Sequence, residues 1–187
     1  TSHRLRDDEP GEPPTVLKVR PWQLAESVAE LTGFRWQSDL AFDLGYGNIG
    51  RVDLMTDSLF GFEVLAGGID SVNVALPSHT MTPSTSVVVR ELGERAAEFV
   101  VDADAKFPKS AKLFKNTTPD ASDEASVRSE LVDLHASLLG QIVAADSEAV
   151  SDAYALFAGA LAESGDPRRA WTLTIAAMLQ HPRFVYY

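Results

Sequence analysis

Cysteine is absent from all 187 residues. That excludes disulfide scaffolding, thiolate metal sites, a cysteine nucleophile and covalent CxxCH haem attachment. It leaves the compartment open, since exported and cytosolic proteins can both do without thiols. Clusters of Lys and Arg are absent too. With a net charge of −11, the chain lacks the phosphate-neutralising surface that nucleic acid demands. No apolar run approaches the ~18 residues needed to span a bilayer. No basic-then-apolar signal segment opens the chain, and Thr1-Ser2-His3 is not an initiator sequence, so the chain reads as a mature fragment or a piece of something longer. No GxSxG, HExxH or ExxH motif occurs, and none of the four histidines (His3, His79, His135, His181) is paired at metal-ligand spacing.

What remains is 45% hydrophobic and 23% charged, enough apolar sequence for one sizeable core or two small ones. The negative charge is localised. Thr118 to Asp166 holds ten acids (Asp120, Asp123, Glu124, Glu130, Asp133, Asp146, Glu148, Asp152, Glu163, Asp166) against the single base Arg128, a net −9. A solvated helical face accounts for this, and a docking surface for a basic partner is the alternative.

Residues 1–17 are polar, proline-rich and aperiodic, and read as an extended arm or linker. From 18 to 187 we expect a single, mainly α domain, with an irregular glycine- and aromatic-rich insert at 34–81 and a small antiparallel helical bundle at 82–187. Pro21 suits a first helical position, Leu24, Ala25, Val28 and Leu31 recur at helical spacing, and Gly33 supplies a left-handed stop. Within the insert, a short helix is expected near Asp53 to Phe60 and an extended piece at Val72 to Ala75. Thr82 and Pro83 open the next helix, with Val88, Leu92, Ala96, Phe99 and Val100 as its stripe. Gly93, which costs roughly 1 kcal/mol against Ala in a helix interior, is expected to permit a close helix contact.

The last third predicts three helices with short connections. The first starts near Asp120 to Ser122 and places Val127, Leu131, Leu134, Leu138 and Ile142 on one face. The second is capped by Asp146, carries Val150, Ala153, Tyr154, Phe157 and Leu161, and ends at Gly165. The third begins at Asp166-Pro167, turns Ala170, Trp171, Thr174, Ile175 and Met178 inwards, and closes before Pro182. Leu131, Leu134, Leu138, Phe157, Trp171 and Ile175 are the expected buried core.

The stretch AGGID at 66–70 poses the question of a phosphate loop. Such a loop needs a helix opening directly after its glycines, and IDSVNV is a poor helix start without GxGxxG or GxxxxGK spacing at this place. Gly67 and Gly68 therefore read as a structural turn needing φ > 0. His135 reads as a satisfied histidine at the core edge, His181 as a helix C-terminal residue favoured by the macrodipole, and His79 as a candidate partner contact. Phe184, Tyr186 and Tyr187 follow a helix stop as an apolar tail that must be covered, and are candidate partner contacts too. Trp22, Phe34, Trp36, Phe42, Tyr46, Phe60 and Phe62 concentrate in the first third, as a core for the insert or as a sugar-stacking or haem-facing platform. No catalytic, cofactor-binding or metal-binding residue emerges, and the balance leans away from an enzyme.

The runs RPWQLAESVAELTGFRW, DSLFGFEVLAGGIDSVNV, VVVRELGERAAEFVV and AWTLTIAAMLQHPRFVYY resemble the C-terminal region of planctomycete-type cytochrome-associated secreted bacterial proteins of unknown function. There a PxQLAxSVxxLTGFRW helix precedes a GFxxLAGGxD turn, and a helix ends in an LxxPRFxY-like motif. The resemblance covers about residues 19–187. It implies an extracytoplasmic protein in a multidomain or multisubunit assembly, with any haem held by a partner, and carries over no catalytic residue. Three functions follow as expectations: a non-catalytic interaction module with another protein chain or domain, an accessory to an electron-transfer complex, or a polysaccharide-binding or hydrolytic module.

Overall fold

A computed structural model describes residues 17–39, 51–58, 61–70, 72–74 and 76–186. The chain is mainly helical. The proposed arm up to residue 16 and the last residue, Tyr187, lie outside the described residues. The elements are α1 (Pro21–Thr32), β1 (Gln37–Asp39), β2 (Arg51–Asp53), α2 (Pro83–Lys106), α3 (Glu124–Leu139), α4 (Glu148–Ser164), α5 (Pro167–Leu179) and α6 (Pro182–Val185), with a 3-10 turn at Pro108–Ser110.

Local chemistry sets the helix ends. Thr82 accepts from the Thr85 amide, Asp123 from Ser126, Ser147 from Val150 and Asp166 from Arg168, satisfying N–H groups that a first turn leaves open. Three expectations shift here. α3 starts at Asp123, not in the 120–122 stretch, and stops at Gly140 in a left-handed conformation (φ 61°), which leaves Ile142 beyond the helix and fully exposed. Ser147, one residue after Asp146, caps α4. His181 does not end a helix but opens α6, accepting from the Arg183 amide.

α5 is the central element, packed on α2 at one side and α4 at the other, with α3 against α4. A Cβ on Gly93 would stand 3.4 Å from the Ala176 carbonyl oxygen and 3.5 Å from Leu179 Cβ, so the glycine does let α2 approach α5 closely. Gly93 meets the end of α5 while Asp102 lies within electrostatic reach of Arg168 at its start, so α2 and α5 run antiparallel. Leu131, Leu134, Leu138, Phe157, Trp171 and Ile175 are all buried. Trp171 sits at the centre, with Phe157 at 4.7 Å and Phe114 edge-on at 5.2 Å between ring centroids. Phe99 departs from the expected stripe. It lies toward solvent, beside Phe34 (5.7 Å), because the face turned to α5 is the one carrying Val89, Gly93, Ala96 and Val100.

The insert is less irregular than expected. β1 and β2 form an antiparallel ladder pairing Gln37 with Asp53, Ser38 with Val52 and Asp39 with Arg51. Leu54 to Thr56 form a turn instead of a helix, and Val72 and Asn73 lie in a bend instead of a strand. The reason for the bend is Asp70, whose carboxylate accepts from the amides of Val72, Asn73 and Val74 at 2.7–2.9 Å.

Two buried carboxylates hold the segment between α2 and α3. Asp104 accepts from the amides of Lys112, Leu113 and Phe114 (2.8–3.1 Å), and Glu130 from those of Lys115, Asn116 and Thr117 (2.9–3.0 Å). Glu130 thus leaves the solvated acidic face where its neighbours in sequence placed it, and is fully buried. Burial pushes its carboxyl above the usual range, with the three amides pulling the other way. Glu130→Gln turns an NH2 group toward amide donors and should cost about 1–3 kcal/mol in urea denaturation, whereas Glu163→Gln at an exposed site should stay within about 0.5 kcal/mol.

Candidate interaction surface

AGGID is where the insert is anchored. The Gly67 amide donates to the Val64 carbonyl (2.9 Å) and the Gly68 amide to Glu63 (2.7 Å), the paired closing bonds of a Schellman turn. Gly67 holds φ 88°. A Cβ on Gly68 would lie 2.8 Å from the Glu63 carbonyl oxygen, so both positions exclude a side chain. Both amides are engaged by backbone carbonyls, and neither points at open space where a phosphate would sit. A second glycine run, GYGNIG at 45–50, does have the GxGxxG spacing. It lies outside the described residues, but β2 follows it directly, so the helix N-terminus such a motif requires does not open there.

The carbonyls of this turn are claimed from three sides. Thr85 Oγ1 donates to Leu65 (3.0 Å), the Ser78 amide to Gly67 (2.9 Å) and Lys18 Nζ to Ala66 (2.7 Å). Lys18 is 2% exposed, and its ammonium also donates to the Val19 carbonyl at 3.3 Å. Burial lowers its pKa. Its backbone amide donates to the His79 carbonyl, and its backbone forms an isolated bridge with Tyr186 while the Val19 amide donates to Val185 (2.8 Å).

The sequence-level partner candidates gather at this junction. Val185 is buried, and Phe184 and Tyr186 pack against the chain's own core, so the described tail is covered from within. His79 is half-buried, with its Nδ1 shielded from solvent and, among the described residues, without a hydrogen-bond partner.

The aromatic insert meets α2 to form a surface that the sequence marked only in part. The Leu54 amide donates to Trp36 and the Phe62 amide to Leu54, which brings the Trp36 and Phe62 rings to 5.0 Å. Arg95 lays its guanidinium 5.4 Å from the Trp36 ring centre while pairing with Glu91 at 2.6 Å. Between these rings and α2 lies a hollow of about 420 Å³ walled by Trp36, Phe62, Leu65, Val87 and Val88. A second hollow of about 450 Å³ follows along the helix, lined by Phe34, Glu98, Phe99, Asp102, Lys106 and Phe107. From Val87 to Phe107 the furrow runs about 30 Å at 1.5 Å per residue. Val87 and Phe107 are 54% and 66% exposed. Leu65 and Val87 line the first hollow together while about half exposed, which makes the furrow a candidate interaction surface.

Among the described residues, no group of three metal-ligating side chains occurs and no helix is long and apolar enough to cross a membrane. Comparison with protein-family models, curated proteins and solved structures finds no match.

Two measurements test this geometry. Gly67→Ala forces a side chain into the left-handed region beside the Lys18 ammonium and should cost about 1–2 kcal/mol in chemical denaturation; an unchanged midpoint would contradict the turn. The three amides hold the Asp70 carboxyl at about 2, below the ordinary carboxylate value. A depressed acid stabilises the fold above its unfolded pKa and loses that contribution as pH falls through the folded one. The 70–74 turn should therefore stay intact through pH 4 and loosen near 2, as followed by the NMR shifts of the Val72 and Val74 amides. A midpoint at the ordinary carboxylate value would show that those bonds do not form.

Proposed function

We propose that the chain is a non-catalytic interaction module of an exported multidomain or multisubunit assembly, and that another protein docks along the furrow of α2. The observation that carries this reading is the furrow itself, with apolar side chains from two separate parts of the sequence exposed side by side. The partner that fits it presents apolar side chains flanked by Lys or Arg. Glu98 and Asp102 place carboxylates in the furrow beside Lys106, Arg95 is paired with Glu91, and the chain's net charge of −11 draws a basic surface toward the molecule as a whole. The extracytoplasmic setting rests on the sequence resemblance.

The acidic segment supports a second reading, in which the partner is a c-type cytochrome and the haem stays in that partner. Arg128, the only base between Thr118 and Asp166, is engaged within the fold by Glu124, the Ala145 carbonyl and the Tyr154 ring, so it does little to offset the acidic field outside. A sugar-binding role draws less support, because Phe62 and Arg95 occupy the surroundings of the Trp36 ring that a pyranose would stack upon.

A photo-crosslinking residue installed in turn at Leu65, Val87, Ile142 and Leu173 tests the assignment in cells of the native host. The expected result is one adduct at positions 65 and 87, none at 142 and 173, with a yield that falls as salt is raised. Equal labelling at all four positions, or none at 65 and 87, overturns it. A Soret band in the purified adduct selects the cytochrome partner.

A further inference from the structure

A second site lies away from the furrow, where α3, α4 and α5 enclose an open groove of about 350 Å³. His135 and His181 both line it, and backbone bonds fix their protons in opposite ways. His135 is 4% exposed, with Nδ1 2.7 Å from the Leu131 carbonyl oxygen. A carbonyl only accepts, so Nδ1 carries the proton and Nε2 of the neutral ring is a bare acceptor. That Nε2 has no hydrogen-bond partner among the described residues. In His181, Nδ1 accepts from the Arg183 amide at 3.1 Å, so the proton of the neutral ring resides on Nε2, a donor. Burial, then Arg183, then His135 hold the His181 pKa below its ordinary value, which favours that neutral form.

The same constraint argues against a metal bridged by both rings. His181 would have to bind through Nε2 with the proton moved to Nδ1, and Nδ1 is already accepting from the cap of α6. The groove is thus furnished for an organic ligand. It offers an acceptor on His135, a donor on His181, the Asp152 carboxylate, and an apolar wall from Leu139, Leu156 and Met178. The segment that supplies α3 and α4 carries a net −9, which favours a cation and opposes a carboxylate.

We infer that this groove binds an apolar α-amino compound with a neighbouring carbonyl, whether a free amino-acid amide or the N-terminus of a peptide. The ammonium group donates to His135 Nε2 and pairs with Asp152. The carbonyl accepts from His181 Nε2–H, and the side chain lies on the apolar wall. This site is independent of the furrow and of the partner assigned to it.

The test is NMR on the intact 187-residue chain. Long-range 15N correlations should first show His135 protonated on Nδ1 and His181 on Nε2; the reverse pattern overturns the proposal. L-leucinamide should then produce saturable shifts at both rings and at the Ala153 and Ala177 amides. N-acetyl-leucinamide, without the ammonium, should bind at least about tenfold more weakly, and Asp152→Asn, at a solvent-facing position, should weaken leucinamide by about the same factor. Absence of saturable shifts, equal binding of the acetylated compound, or indifference to Asp152→Asn each overturns it. With those conditions met, tighter binding of Leu-Gly-Gly than of leucinamide assigns the site to peptide N-termini, and the opposite order to free amides.

Discussion

Lys18 places an ammonium group at 2% exposure against backbone carbonyls, with no ion pair to a carboxylate among the described residues, and much of the molecule depends on that arrangement. A buried charge is costly unless hydrogen bonds compensate it. Here the carbonyl end of the Phe62–Ala66 turn supplies that compensation, as the end of a helical turn concentrates partial negative charge. The segment bearing Lys18 also pairs through its backbone with Val185 and Tyr186 and reaches the His79 carbonyl. The Lys18 side chain and the backbone around it therefore bring the entry to α1, the insert and the chain's last described residues to one point. The same turn is joined to α2 by Thr85, whose hydroxyl donates to the Leu65 carbonyl, so Phe62 and Leu65 stand against that helix as walls of the furrow.

The same device recurs at the other end of the bundle. Segments 112–117 and 63–68 have no sheet to absorb their polar backbone groups, and buried charged side chains do so instead: Asp104 and Glu130 for amides, Lys18 for a carbonyl. Such groups specify one loop conformation, because any other leaves a charge buried and unsatisfied. Rigid loops in turn keep exposed apolar side chains from collapsing onto each other. A furrow half walled by an insert needs that rigidity to stay open.

The helices were legible because their signals are local. Thr82-Pro83, Asp166-Pro167, Gly33 and Gly165 each act through groups within four residues, and every one performs the role its neighbours imply. The roles of Lys18, Asp104 and Glu130 were not legible, since their acceptors and donors lie eight to forty-eight residues away and nothing in the local pattern separates a buried acid from a solvated one. Ile142 fits the helical period but Gly140 ends the helix before it, so periodicity outran the stop signal. The site was half visible. Trp36 and Phe62 stood out as part of an aromatic concentration, while Val87, Phe99 and Phe107 gained meaning only once α5 had selected the opposite face of α2. His181 was misplaced because a histidine before proline suits a helix end and a helix start equally, and the short α6 decides between them.

The tie at Lys18 is tested most directly by native-state hydrogen exchange on Lys18→Met, which keeps the apolar stem and removes the ammonium. The account predicts faster exchange at the Gly67, Gly68 and Ser78 amides, whose acceptors belong to the anchored turn, with protection in α3 and α4 unchanged. Unchanged protection at those three amides, or a uniform loss across the whole bundle, would contradict it.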